Sequence, residues 1–514
     1  MSEVTPRHGH KRWWALAALA LAMLTIGLDT TVLNVAVPTL ATALHASNDQ
    51  LQWFSAVYTL VLAAALLPAG TLGDRFGRKK LLLGALAVFG VASALCAWAG
   101  SAGMLIGARA ALGLGAAFMM PLSMAVLPTL FPEAEERGRA ITVWVTSTAL
   151  GLPLGPILGG WLLDHFWWGS VFLINVPLVV VGILAVALLV PETSAGGSRP
   201  IDTAGAVLSS AGLLALTYGF IEAGARGWGS AVTLGLIAGG VVLLAGFVFR
   251  QARTAYPLID LNLFRDSGFS FGTSLAVLSS FALFGLMFTL PQYFQAVLRS
   301  DALGSGLRLL PMIGGLVVGT RLAGRVSGRS GRRGVLILGC ALLALSIGAG
   351  AFTAVGTAYG ISAIWITGVG VGLGLALPTS MAIATDALDP ATAGSGSALL
   401  QALRQVGGTI GVAVLGTFLA STYRHHLDLT GIPAISADAA ASSVSSGVKA
   451  AVKLDSVPLL DTVRSSFVHG MDVVLLVCAA ICAGALALAW FYRERVGTAA
   501  STAGTAQSTD ELVS

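Results

Sequence analysis

Apolar residues along this chain fall into long runs separated by short polar punctuation. The runs centre on 14–36, 52–73, 81–100, 104–127, 140–162, 170–190, 203–223, 231–249, 269–292, 304–325, 334–355, 359–385, 395–421 and 467–491. A helix rises 1.5 Å per residue, so about 20 apolar residues cross a hydrocarbon layer about 30 Å thick. The pattern therefore predicts an all-α polytopic membrane protein with fourteen transmembrane helices. The breakers between runs are plain: Pro132 beside Glu133, Glu135 and Glu136, the pair Gly196 and Gly197 before Pro200, and Asp389 with Pro390.

Composition agrees. Of 514 residues, 56% are hydrophobic and 10% charged, against about 25% charged in soluble proteins, which excludes a water-soluble chain. The net charge of +5 does not imply a nucleic-acid partner, because the basic residues sit in short gaps and not on one patch. They read as topology signals. With the N-terminus inside, nineteen of 29 Lys and Arg fall on the cytoplasmic side and seven opposite, so both termini are placed in the cytoplasm of a cell (inner) membrane. The basic start at Arg7, Lys11 and Arg12 imitates a signal peptide, but the apolar run continues without a clear cleavage site and reads as an uncleaved span.

A repeat divides the runs. GTLGDRFGRKK at Gly70–Lys80 has a degraded relative, RLAGRVSGRSGRR, at Arg321–Arg333, and a Gly-rich helix around Gly155 is echoed around Gly411. Each offset exceeds one six-helix unit by about two helices. The layout is a cytoplasmic tail (1–12), a six-helix bundle (13–200), an inserted pair (201–250), a second six-helix bundle (251–492) and a disordered cytoplasmic tail (493–514). Residues 422–466 are Ser/Ala-rich without helical period, and are expected to form a flexible external loop. Two parallel bundles are the architecture of secondary transporters, which bind substrate at the midplane between halves.

Few residues carry chemistry. Cys96, Cys340, Cys478 and Cys482 lie in apolar runs and read as core side chains. The seven histidines show no metal spacing, no GxxxxGK[ST] loop exists, and no clustered catalytic set is present. No metal, no cofactor and no enzyme are expected, and the chain is expected to work as a monomer. Asp29, about 6 Å from the middle of the first span, is costly in a membrane unless it faces a cavity or partner. It is a candidate for proton and substrate-cation binding, or else a carboxylate tied to the hydroxyls of Thr25, Thr30 or Thr31. Arg109 stays protonated, so it either biases a neighbouring carboxylate or locks helices through backbone carbonyls.

In the turn after the second span, the short carboxylate of Asp74 can accept backbone N–H bonds and pair with a guanidinium; the basic residues there also enforce orientation. Gly151, Gly155 and Gly159 share one helix face with Gly160 beside it, permitting close helix approach, while Pro153 and Pro156 bend the helix. Asn34, Trp53, Tyr58, Met120, Tyr293 and Phe294 could line a broad pocket or simply pack. Glu222, Asp386, Arg404 and Gln405, and His469 with Asp472 are further polar candidates, Glu222 reading as a surface residue of the inserted pair.

Several stretches resemble the major facilitator superfamily, and within it the fourteen-span drug:proton antiporters. These are the loop with Gly70, Leu72, Asp74, Arg75, Gly77, Arg78 and Lys79; LDTTVLNVAVP at Leu28–Pro38; Arg109, Gly113 and Gly115; and GLPLGPILGG at Gly151–Gly160. LINVP at Leu173–Pro177, PLIDLNLF at Pro257–Phe264, LPQYFQ at Leu290–Gln295 and GSGSALLQALRQVGG at Gly394–Gly408 extend the likeness. Two positions depart: Leu112 stands where the family usually has Gln, and Gly169 where it has Arg. The resemblance implies a conformational latch at Gly70, Asp74, Arg75, Gly77 and Arg78, and a helix face at Gly151–Gly160 that favours antiport over leak. It implies proton-driven export of an amphipathic, often cationic drug or antibiotic, with uptake or sensing as the alternatives. A membrane potential of about 150 mV gives one proton about 3.5 kcal/mol, enough for a gradient of about a few hundred fold.

Overall fold

The computed structural model describes residues 9–46, 48–193, 202–389 and 393–493. The tails expected at 1–12 and 493–514 lie largely outside the described residues, as do Gly196, Gly197, Pro200 and Pro390. The described chain is helical without strands: α1 (Gly9–Ala43), α2 (Asn48–Phe76), α3 (Arg78–Ala97), α4 (Ala102–Leu130), α5 (Ala134–His165), α6 (Ser170–Leu173), α7 (Asn175–Leu189), α8 (Thr203–Arg226), α9 (Ala231–Gln251), α10 (Ser267–Gln292), α11 (Ala302–Leu307), α12 (Leu310–Gly350), α13 (Tyr359–Asp386), α14 (Ala393–His426), α15 (Ala434–Ser442), α16 (Val444–Lys453) and α17 (Val457–Phe491).

Among the described residues, thirteen helices are long and apolar enough to cross a membrane. The count accommodates the fourteen expected runs because α12 contains two of them. Its backbone breaks at Gly331, whose φ of 65° is non-helical, leaving two arms of about 20 residues, each enough for a crossing. Glycine takes that φ without the penalty a side chain would add.

Helix starts follow the sequence. Ser101 accepts from the Met104 N–H, Asp266 from Phe269, Asp301 from Gly304 and Ser456 from Leu459, at 2.7–3.3 Å. Each satisfies a backbone donor that the first turn leaves open.

The helices form two bundles with two hydrophobic cores, one built mainly from α1–α7 and one from α10–α14 and α17. The first core reaches across to Leu377, Met381, Ala398 and Leu400, so the bundles are joined at the end where α13 finishes and α14 begins. The inserted pair α8–α9 bridges the seam: Ser210 donates to the Ala64 carbonyl of α2 (2.7 Å) and Trp228 Nε1 to Thr417 Oγ1 of α14 (2.6 Å). Asp202 caps α8 through the Gly205 N–H and binds Arg250 and Gln251 at the end of α9, at 2.8–2.9 Å. Burial works against the Asp202 carboxylate, but these donors prevail and hold it below the usual range.

One expectation is corrected. The 422–466 stretch is not without helix: α14 runs through its start, α15 and α16 occupy its middle, and α17 its end. Buried Ala440, Val444, Ala450 and Ala451 form an inward face too short to register as an apolar run, and Tyr423 Oη fixes the Ala440 carbonyl at 2.8 Å.

Candidate functional site

The scarce charges of the first bundle meet. Asp29 of α1 and Arg109 of α4 are both buried, and Arg109 Nη1 lies 2.6 Å from Asp29 Oδ2. Arg109 Nε donates to the Phe54 carbonyl (3.0 Å), and its guanidinium lies 4.7 Å from the centre of the Tyr58 ring. The threonine alternative for Asp29 fails geometrically: Thr25, Thr30 and Thr31 turn their hydroxyls back to carbonyls of α1, at Leu21, Ile26 and Gly27. Asp29 Oδ1 is buried without a hydrogen-bond partner, while the nearby Asn175 amide donates to Ser93. Arg109 thus pairs with a carboxylate of α1 and also bonds a main-chain carbonyl of α2.

Beside this pair lies a cavity of about 760 Å³ between the bundles. Its wall takes Gly27 and Thr30 from α1, Tyr58 from α2, Met120 from α4, Trp144 and Thr148 from α5, Phe288 from α10, and Gln401, Arg404 and Gln405 from α14. Tyr58 stands between the cavity and Arg109. The lining stops at Trp144, Leu377 and Gln401 in one direction and reaches Arg424, Ser442 and Val444 in the other. It therefore reaches the α15–α16 end and stops short of the end where α14 begins.

Of the six pocket candidates, Tyr58 and Met120 line this cavity. Tyr293 and Phe294 do not: they sit in a π-helical turn and are buried in the second core. Trp53 does not line it either; it faces α8, 5.7 Å from the Tyr218 ring. The side chain of Asn34 lies outside the described residues. Sequence reasoning missed Phe220 and Ile221 of α8, which line the cavity from the inserted pair. Hydropathy marks α8 as a span but carries no signal of which helices it touches. Glu222, expected at the surface, is buried and pairs with Arg226 at 2.6 Å.

The closed end is tied across the two bundles. Asp74 Oδ1 takes two bonds from Arg78 (2.9 and 2.6 Å) and one from the Gly394 N–H (3.0 Å), and Oδ2 accepts from the Ser395 N–H (2.9 Å). The carboxylate thus ties α2 to the start of α14 in the other bundle. Gly70 makes this possible, since a Cβ there would overlap the Gly394 carbonyl. Gly77 turns the chain at φ 102°, and Glu192 accepts the N–H groups of Lys79 and Lys80 behind it (3.0 and 3.1 Å). Arg75 takes no part: it is exposed, with its guanidinium 5.3 Å from the Phe76 ring centre. A second tie lies alongside, where Asp386 of α13 binds Arg137 of α5 at 2.7 Å and Arg332 of α12.

The glycine face packs as its spacing requires. Gly151 abuts Gly27, Gly155 abuts Leu28, Thr31 and Val32, and Gly159 abuts Val32, leaving no space for a Cβ. Gly160 lies off this face, with only Leu303 within reach. Pro153 and Pro156 sit inside α5 beside it.

The pattern of the Major Facilitator Superfamily matches residues 19–412. The chain is 33% identical to the tetracenomycin C resistance and export protein of Streptomyces glaucescens, over 95% of this chain and 94% of that protein. It is 34% identical to the multidrug efflux pump LfrA of Mycolicibacterium smegmatis, over 94% and 97%, and 32% identical to the methyl viologen resistance protein SmvA of Salmonella typhimurium, over 90% and 95%. Its backbone matches the proton:xylose symporter XylE bound to 6-bromo-6-deoxy-D-glucose with a TM-score of 0.62, over 94% of this chain and 95% of that one at 14% identity. Two joined bundles, a cavity between them and a hydrogen-bonded tie at one end thus coincide with a family pattern across most of the chain, and this multi-pass membrane protein belongs to the major facilitator superfamily.

Proposed function

We propose that this protein is a secondary transporter that exports amphipathic drugs or antibiotics in exchange for protons. The observation that carries this reading is a buried carboxylate–guanidinium pair one side chain behind the wall of an interbundle cavity. The names of its relatives support export, because each is a resistance or efflux protein. Small-molecule cargo follows from the same relatives; proton coupling, a monomeric working unit and the cell inner membrane belong to the proposal.

The positive-inside distribution puts both termini, and with them the Asp74 lock, in the cytoplasm. The cavity then reaches the external end, so this conformation is outward-facing. A proton arriving from outside binds Asp29 at Oδ1, the oxygen that Arg109 does not hold. Neutralising the carboxylate removes the Coulomb attraction that holds Arg109 to α1. The freed guanidinium and the α1–α5 contact then favour rocking toward the inward-facing state. Deprotonation toward the cytoplasm restores the pair, and the energy comes from the proton gradient with no cofactor.

Inverted vesicles test this. With the lumen acidified by respiration, adding a transported antibiotic should release protons, and Asp29→Asn should abolish that release. Normal coupling in Asp29→Asn would remove Asp29 from the mechanism, and the absence of proton movement with every compound of an antibiotic panel would remove the export reading.

A further inference from the structure

Sequence alone assigns the cavity a negative charge through Asp29, but the described structure puts a positive one on its wall. Asp29 does not line the cavity; it lies behind Tyr58 with its charge matched by Arg109. Among the described residues, no Asp or Glu lines the cavity, and its charged side chains are Arg404 and, toward the open end, Arg424. Among the described residues, Arg404 has no carboxylate within ion-pair distance. Its Nε donates to Ser280 Oγ (3.0 Å) and its Nη1 to Gln401 Oε1 (2.7 Å), both neutral acceptors. These bonds aim the guanidinium without cancelling its charge. The glutamines Gln52, Gln292, Gln401 and Gln405 and the hydroxyls of Thr30, Thr59, Thr148 and Thr409 supply neutral polar groups, and the remaining wall is largely apolar.

A half-buried guanidinium with neutral partners, facing a cavity in a low-dielectric surround, attracts an anion and repels a cation. We propose that Arg404 is a substrate-binding residue and that the cavity selects amphipathic molecules carrying one acidic group, such as a carboxylate, sulfonate or ionised phenol on an aromatic body. The inference rests on the export reading and specifies its cargo. A guanidinium offers paired donors that match two oxygens of such a group, while Phe220, Phe284 and Phe288 offer aromatic surface. Exchange of a monoanion for a proton would also move net charge across the membrane, so export would respond to potential as well as to pH.

The test uses the purified full chain and two fluorescent probes of similar size: the anion 8-anilinonaphthalene-1-sulfonate and the cation ethidium. Binding is measured in detergent, and export in cells expressing the wild type, Arg404→Gln or Arg404→Lys. The expected result is tighter binding of the anion by the wild type, a loss of about tenfold or more in Arg404→Gln, partial recovery in Arg404→Lys, and a gain in ethidium affinity in Arg404→Gln. Equal losses for both probes in Arg404→Gln would make Arg404 a structural residue and overturn the proposal. Tighter binding and export of ethidium by the wild type would overturn the proposal while leaving the export reading intact. Binding of the anion without export of either probe or any antibiotic would sustain the cavity assignment and remove the export reading; binding of neither would remove both.

Discussion

The two bundles treat their intramembrane arginines in opposite ways. In the first, Arg109 is sealed against Asp29 and a backbone carbonyl, so the membrane interior contains a neutral pair. In the second, Arg404 has only a serine and a glutamine, and it faces the cavity. The two halves thus differ in electrostatics: one holds a buried charge pair, and the other presents to the cavity a guanidinium bonded to neutral groups. The inner ends differ likewise. The first bundle's signature turn supplies its own acid, Asp74, whereas the degraded copy around Gly331 has none and its Arg332 draws on Asp386 at the end of α13.

The largest effect that sharpens this contrast is expected at the sealed pair. Arg109→Gln leaves a buried carboxylate uncompensated and should cost about 3–5 kcal/mol, read as a drop in thermal unfolding temperature in detergent; adding Asp29→Asn should recover part of it. Arg404→Gln, which loses two bonds to neutral acceptors, should cost about 1–2 kcal/mol. Equal destabilisation by the two arginine changes would erase the distinction between the bundles.

The inner ties come next. Asp74→Asn should weaken a buried, charge-assisted lock by about 1.5–3 kcal/mol, whereas Asp386→Asn, in a more open ion pair, should weaken its tie by about 1 kcal/mol or less. Spin labels at Glu135 and Arg329, both exposed on that end, should report a longer separation in a larger share of molecules for Asp74→Asn. A greater shift from Asp386→Asn would make the borrowed acid the principal lock.

The smallest expected effect lies on the bridge between halves. Phe220→Ala should alter export of a large aromatic probe by about three- to tenfold, through lost apolar contact, with folding and the proton response retained. Unchanged selectivity would return α8 to the role of a spacer.

Much of this was readable from the residues. Runs of apolar residues give the spans, and the rarity of charge makes Asp29, Asp74 and Arg109 conspicuous. The pairing of Asp29 with Arg109 was not legible, because the partners lie 80 positions apart and periodicity within a helix says nothing about which face meets which neighbour. Tyr293 and Phe294 resembled pocket residues because a core and a cavity wall draw on the same apolar side chains. The short helices α15 and α16 are hard to read from sequence because they have only 9 and 10 residues, and in α15 alanine and serine give almost no hydrophobic period. Arg404 was visible as a charge, but its lack of an acidic partner is a property of the assembled cavity alone.

The second bundle contributes main-chain N–H groups to the Asp74 tie, those of Gly394 and Ser395. Those amide hydrogens survive almost every codon change, so a mutant library selected for a broken tie should return hits concentrated at Asp74, Arg78, Gly70 and Gly394. A gate built in this way presents a narrow genetic target.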